Sequence, residues 1–433
     1  MKKVIKKNIF FFIIVYVIIL LTCIEFTKGF ALIDHYNMSN KGYVKYAIEE
    51  FFKDGRIFSG VYILVANILN IKIQYLYIFS NLIGIIIVTL NVLYLNEILK
   101  KINNLNNEFV LLCISIITIF NWTCVNILHY VEFPIISASI FLYLYSAKKL
   151  IIDNKVKLSL ITLIIALFAY QGTMSVFFSC IVFFSIIKSE ITVSTTKKVL
   201  KGLIFGVIAI SVNYFFINIY GNIMKITTRT QMSMDKLLFN LKNLWKSIAQ
   251  IYIYSNLALH KYMLIFFLLV IIIIALLYIR KDKKIIVKII FIFITNIIVC
   301  IPLIISFYAN DIWISGRLLW SIGATVGMCL FILYNEIKDK YLKITIIAIT
   351  IIYMIIALLG MRNLVHKYKM GNKIDKIIVD EIEELRIKVS KENKIDKIFL
   401  KSEFTRKWFT KKIWEWRFYK IIYSNLNSTK IYI

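Results

Sequence analysis

The chain has 433 residues, 60% of them hydrophobic and only two of them proline, and its mean hydropathy is +0.77; a water-soluble protein of ordinary composition is excluded. Its formal net charge of +29 is divided among short lysine clusters lying between apolar runs. With no basic patch and no nucleic-acid motif, nucleic acid is excluded as a partner and the lysines read as topology signals.

Apolar windows of about 18 to 22 residues, enough for roughly 30 Å of hydrocarbon at about 1.5 Å per residue, recur along most of the sequence. They predict an all-α polytopic membrane protein with about eleven transmembrane helices. In chain order the expected spans are Asn8 to Glu25, Ile73 to Leu95, Phe109 to Leu128, Phe133 to Ser146, Leu158 to Tyr170 and Thr173 to Ile187. Gly202 to Tyr220, Tyr262 to Ile279, Ile285 to Tyr308, Leu318 to Tyr334 and Ile344 to Met361 complete the set. The start, Met1-Lys-Lys-Val-Ile-Lys-Lys7, resembles a signal peptide, but Leu21-Thr-Cys-Ile-Glu25 offers no small-x-small cleavage site. An uncleaved first span is therefore expected.

Basic flanks stay on the cytoplasmic side. An inside N-terminus then places Lys100-Lys101, Lys148-Lys149, Lys155, Lys157, Lys197, Lys198, Lys201, Arg280 through Lys284 and Lys338 to Lys343 inside. This works only if the long apolar stretch from Leu158 to Ile187, basic at both ends, folds as a hairpin at Tyr170-Gln171-Gly172. The outer face then carries the first loop (Phe26 to Lys72), a loop from Gly221 to Lys261 and the tail. Two regions result: a transmembrane domain over 1–361 with its extracytoplasmic loop 26–72, and an extracytoplasmic region over 362–433. In the tail, Lys373 to Ser390 has amphipathic helical spacing, with Ile377, Ile378, Ile382 and Leu385 against Asp380, Glu381, Glu383 and Glu384. A short strand is expected at Ile395 to Leu400, followed by interfacial aromatics such as Trp408, Trp414 and Trp416, so the tail reads as a small α/β appendage.

The six cysteines all lie in apolar stretches with no Cys-x-x-Cys pair, and the four histidines are scattered. Neither pattern calls for a disulfide framework, a metal or a cofactor.

The first loop concentrates ionisable groups. Asp34 lies just beyond the first span, where partial desolvation suits a carboxylate to act as a base, and His35, Glu49, Glu50, Asp54 and Arg56 share its loop. Asp54-Gly55-Arg56 opens the run Ile57 to Asn70, which is short for a span and is expected at the interface or dipping into the protein. A guanidinium there has the planar donor pair that grips a phosphate. Arg317, after Asn310-Asp311-Ile-Trp313-Ile-Ser315-Gly316, opens a late span either as a second such group or as a snorkelling anchor. Glu132, beside His129 and Tyr130 on a short outer turn, is expected to pair with one of these arginines or to be solvated. Gln171, at the hairpin turn, either bonds a sugar hydroxyl or satisfies the turn's backbone. Gly323-Ala-Thr-Val-Gly327 is a small-xxx-small pattern read as helix packing.

Ile33-Asp34-His35-Tyr36, Asp54-Gly55-Arg56 opening an apolar run, Tyr170-Gln171 at a hairpin and an arginine opening a late span together resemble the GtrII-type (glucosyltransferase II) membrane glucosyltransferases, over most of the chain in order and layout. Two departures accompany the likeness: Asp34 is followed by His35 where paired acids are often found, and Glu132 stands where an aspartate is common. The resemblance implies GT-C architecture, a bacterial plasma membrane setting and an active site at the outer face. The donor it implies is a polyprenyl-phosphate-linked hexose, glucose first, and the acceptor a cell-surface polysaccharide or glycan. It further implies Asp34 as the catalytic or acceptor-orienting acid and Arg56 with Arg317 near the lipid phosphate, with His35, Tyr36, Asp54, Glu132, Tyr170 and Gln171 as further substrate-binding residues and membrane lipid as surroundings. A polysaccharide polymerase or ligase shares the logic of an outer acid and arginine. A flippase or transporter would instead place its charges at mid-membrane.

Overall fold

The computed structural model describes residues 2–27, 38–103, 107–128, 130–188, 193–225, 263–278, 283–299 and 319–391, and the regular elements among them are all helical. The principal helices are α1 (Lys2–Thr27), α2 (Ile57–Ile68), α3 (Ile73–Asn103), α4 (Glu108–Ile119), α5 (Phe133–Ile151) and α6 (Val156–Ala169). Then come α7 (Ser175–Lys188), α8 (Val193–Met224), α9 (Met263–Tyr278), α10 (Lys283–Ile298), α11 (Trp320–Glu336) and α12 (Lys340–Lys391). Every expected span falls on one of these helices or overlaps it. Among the described residues, five segments are long and apolar enough to cross a bilayer: Ile9–Thr27, Tyr75–Ile102, Gln171–Lys188, Thr196–Met224 and Lys340–Met370. The protein is an all-α membrane protein.

Helix ends sort into two groups. At one end lie lysines and their partners: Lys100 at the close of α3 bonds Glu108 opening α4, and Lys148 and Lys149 of α5 both bind Asp153. Lys188, the last residue of α7, donates to the carbonyls of Ile151 and Ile152 at the end of α5, and Lys288 of α10 pairs with Glu336 closing α11 at 2.8 Å. At the other end, Tyr77 of α3 bonds the Leu128 carbonyl, Trp320 opening α11 bonds the Ile119 carbonyl, and Tyr368 of α12 reaches Asn126.

The stretch from Leu158 to Ile187 is indeed turned back on itself. Ser159 of α6 bonds Ser146 of α5, Tyr143 of α5 donates to the Tyr170 carbonyl, Ser139 meets Thr173, and Lys188 returns to Ile151. The backbone leaves the helix at Tyr170 (φ −163°, ψ 116°), and a 3₁₀ turn over Gln171–Thr173 starts the return. Both basic flanks therefore lie at the lysine-rich end.

The run Phe109 to Leu128, expected as one span, is broken. Helix α4 stops at Ile119 because Asn121 folds its side chain onto the backbone N–H and the hydroxyl of Thr123, at 3.0 and 2.6 Å, and so nucleates a separate 3₁₀ turn over Trp122–Asn126. The glycines of α11 explain how this region packs. A Cβ at Gly323 would fall on Asn121 Oδ1 and one at Gly327 on Thr118 Oγ1, so these positions let α11 approach α4 closely.

The boundary drawn at 361/362 lies inside α12, which runs on unbroken to Lys391 and contains the amphipathic stretch expected over Lys373 to Ser390. The strand expected at Ile395 to Leu400 and the aromatic tail lie outside the described residues, as do most of the Gly221 to Lys261 loop and the segment carrying Arg317.

Candidate functional site

After the one-turn helix Tyr43–Tyr46, the first loop forms a π-helical turn over Ala47–Phe51 and a 3₁₀ turn over Phe52–Asp54, then reverses at Gly55. Gly55 has φ 71°, the left-handed region a Cβ disfavours, and a Cβ there would also stand 2.8 Å from Ile217 of α8. The reversal sends Arg56 back over the loop, and α2 begins at the next residue. Helix α2 buries Ser59, Gly60, Ile63 and Ala66 and leaves Ile68 and Leu69 exposed, as expected of a run too short to span.

The Arg56 guanidinium is enclosed on several sides. Nη1 donates to Glu132 Oε1 at 2.7 Å; Nη2 donates to Asp54 Oδ2 at 3.1 Å and to the Glu50 carbonyl at 3.0 Å. The rings of Phe51 and Tyr170 lie 5.0 and 5.9 Å from its central carbon, in the range of cation–π attraction. Glu132 is 3% exposed. It stands at the N-cap of α5, ahead of Pro134, where the helix dipole favours a carboxylate. Its second oxygen, Oε2, is buried with no hydrogen-bond partner among the described residues.

Gln171 at the hairpin turn donates to the Asp54 carbonyl at 2.9 Å and to Asn213 Oδ1 of α8 at 3.2 Å, and Asn213 donates to the Gly55 carbonyl at 3.4 Å. Nearby, Lys41 pairs with Glu49 and Glu50 at 3.0 and 3.1 Å. Burial pulls the Lys41 pKa down, but hydrogen bonds and charge from the two glutamates outweigh it and raise the value.

Five residues expected to line the site, Asp54, Arg56, Glu132, Tyr170 and Gln171, thus meet at the end of the bundle opposite the lysines. Asp34, His35, Tyr36 and Arg317 lie outside the described residues; Phe26 and Met38, on either side of the first three, are both buried. Of the two outcomes expected for Glu132, pairing with an arginine is the one observed, and Arg56 is the partner. Arg56 donates to two carboxylates, Asp54 and Glu132, so an incoming phosphate would have to compete with both. The amide of Gln171 is occupied by backbone at Asp54, not at its own turn. Sequence reasoning passed over Asn213, a single asparagine inside an apolar helix, and the Glu50 carbonyl, which no side-chain pattern announces.

No family model matches the chain, and neither a curated protein nor a solved structure is found to be similar to it.

Proposed function

We propose that this chain is a GT-C-type membrane glycosyltransferase of about eleven spans that moves a hexose, glucose first, from a polyprenyl-phosphate donor to a cell-surface polysaccharide or glycan at the outer face. The observation that carries the reading is the gathering of Asp54, Arg56, Glu132, Tyr170 and Gln171, from three separate parts of the chain, at the end of the bundle away from the lysine clusters. By the basic-flank rule that end is extracytoplasmic, the side on which lipid-linked sugars are used for envelope glycans.

The chemistry asks little of the protein. A glycosyl phosphate carries its own leaving group: the acceptor oxygen bonds to the anomeric carbon, its proton passes to a carboxylate, and the bond from that carbon to the phosphate oxygen breaks to release polyprenyl phosphate. Asp34 is assigned the proton. Glu132, held through one oxygen by Arg56 with the other buried and without a hydrogen-bond partner among the described residues, is suited to bind a sugar hydroxyl. The phosphate is assigned to Arg317 together with Arg56, which it would share with Asp54 and Glu132. Low water access at such a site strengthens each of these contacts.

The test is transfer by the reconstituted protein from a synthetic polyprenyl-phosphate hexose to extracted envelope glycan. The expected result is a glycosidic product that depends on the lipid donor and is lost with Asp34→Asn. Movement of the lipid-linked sugar across the bilayer without a new glycosidic bond would overturn the reading in favour of a flippase.

A further inference from the structure

We infer that Asn213 is a positioning residue which, together with Gln171, sets the Asp54-Gly55-Arg56 turn so that Arg56 meets Glu132. Asn213 lies 20 residues into α8 (Val193–Met224), is 4% exposed, and is among the few buried polar groups on a helix whose other faces carry Leu203, Ile204, Val207 and Phe215. An asparagine costs free energy on such a helix unless its amide is bonded. Here both halves of the amide are used. Nδ2 donates to the Gly55 carbonyl and Oδ1 accepts from Gln171, whose Nε2 also donates to the Asp54 carbonyl.

The two carbonyls so held are consecutive and immediately precede Arg56. The next turn of α8 presses on the same reversal, with Ile217 filling the space a side chain at Gly55 would need and Tyr220 facing the Phe52 ring at 6.2 Å. Arg56 then bonds Glu132, 76 residues away at the N-cap of α5. The amide pair thus ties α8 and the hairpin turn to the loop, and the loop delivers the guanidinium. Without the pair, the Asp54 and Gly55 carbonyls lose these side-chain donors and the turn is left to its own backbone bonds, Gly55 N–H to the Phe52 carbonyl and Arg56 N–H to the Phe51 carbonyl, both at 3.0 Å; the fork of Arg56 is then less firmly aimed, which matters because two separate carboxylates must be met at once.

A double-mutant cycle reads this directly. Asn213→Leu keeps the number and branching of the side-chain heavy atoms and removes both bonds; Glu132→Gln removes one of the two carboxylate charges that Arg56 meets. Asn213 and Glu132 share no direct bond, so if Asn213 only packs, their effects on the melting temperature of the purified protein add. If Asn213 positions Arg56, part of each loss is the same lost ion pair. The combined shift should then fall short of the sum by roughly a third or more, while Asn213→Leu with Ser146→Ala, at the lysine-rich end, stays additive. Should Asn213→Leu fail to assemble, Asn213→Ser, too short to reach the Gly55 carbonyl, runs the same cycle.

The kinetic arm rests on the glycosyltransfer reading. There, the Asn213 variant should lose about tenfold in kcat with KM for the donor within about twofold, and Ser146→Ala should lose neither. Additive melting shifts with unchanged kcat would overturn the assignment. If the unmodified protein transfers no sugar, the function reading fails, and the melting cycle alone still decides the role of Asn213.

Discussion

Arg56 and Glu132 carry unequal burdens, and charge counting says how unequal. Replacing Arg56 by alanine leaves Asp54 and Glu132, both largely buried, without the cation between them, whereas Glu132→Gln keeps the Arg56–Asp54 pair. Loss of one partner from a buried ion pair costs about 3–5 kcal/mol, so Arg56→Ala should sharply lower the melting temperature in detergent and Glu132→Gln should lower it much less. In transfer assays the order reverses in meaning: Glu132→Gln should remove most of the turnover from a protein that is still assembled. Equal melting losses in the two variants would contradict the charge count. The acids and the arginine were legible in the sequence because ionisable residues are rare and costly next to apolar spans. Asn213 was not, since nothing local marks the partner of a lone asparagine 158 residues from the carbonyl it bonds.

At the scale of helices, two contacts make separable predictions. A methyl group at Gly327 would meet Thr118 Oγ1 and, at 3.0 and 3.2 Å, the backbone of Thr118 and the carbonyl of Ile114. Backbone cannot step aside as a side chain does, so Gly327→Ala should destabilise by about 1–3 kcal/mol through overpacking, read as an earlier thermal transition; a neutral result would mean α4 and α11 are not closely apposed. The other contact is the Lys148–Asp153–Lys149 knot in the α5–α6 connection. Burial raises the Asp153 pKa, but hydrogen bonds from Lys148 and Lys149 outweigh it and hold the carboxyl below its ordinary value. A lowered native pKa contributes stability that is present above the ordinary value of about 3.9 and lost as the pH falls through the native one. The melting temperature of Asp153→Asn should therefore lie below wild type at neutral pH, with the gap closing as the medium is taken below about pH 4. A gap independent of pH would remove the charge from the explanation. Periodicity and hydropathy located these helices, and the small-xxx-small spacing foretold the packing at Gly323 and Gly327. The early end of α4 was hidden, because the polar break at Asn121-Trp122-Thr123 is short and the apolar Cys124, Val125, Ile127 and Leu128 follow it, so a window long enough for a span averages it away.

At the scale of the whole chain, the account is a bundle with one lysine-rich end and one end that gathers acids. Lys284 lies in the first turn of α10, one turn before Lys288 of the Lys288–Glu336 pair, while Gly371 lies 31 residues into α12, about 46 Å along the helix axis. Reporter fusions after Lys284 and after Gly371 should therefore report opposite sides, the first cytoplasmic; the same side for both would break the topology. The basic-flank rule foresaw the hairpin at Tyr170, which is why the two lysine flanks share an end. It said nothing of what the turn touches, and the reach of Gln171 to Asp54 emerges only once α2, α6 and α8 have packed.

The central claim is that lipid-linked sugar is transferred at the Arg56 end of the bundle, and sided proteoliposomes test it most directly. With the lysine-rich end facing inward, labelled polyprenyl-phosphate hexose and glycan acceptor supplied outside should give a new glycosidic product. The same reagents enclosed inside should give none, and Asp34→Asn should abolish the outside reaction while the protein remains inserted. Product formed from the lysine-rich side, or turnover by Asp34→Asn equal to that of the unmodified protein, would contradict it.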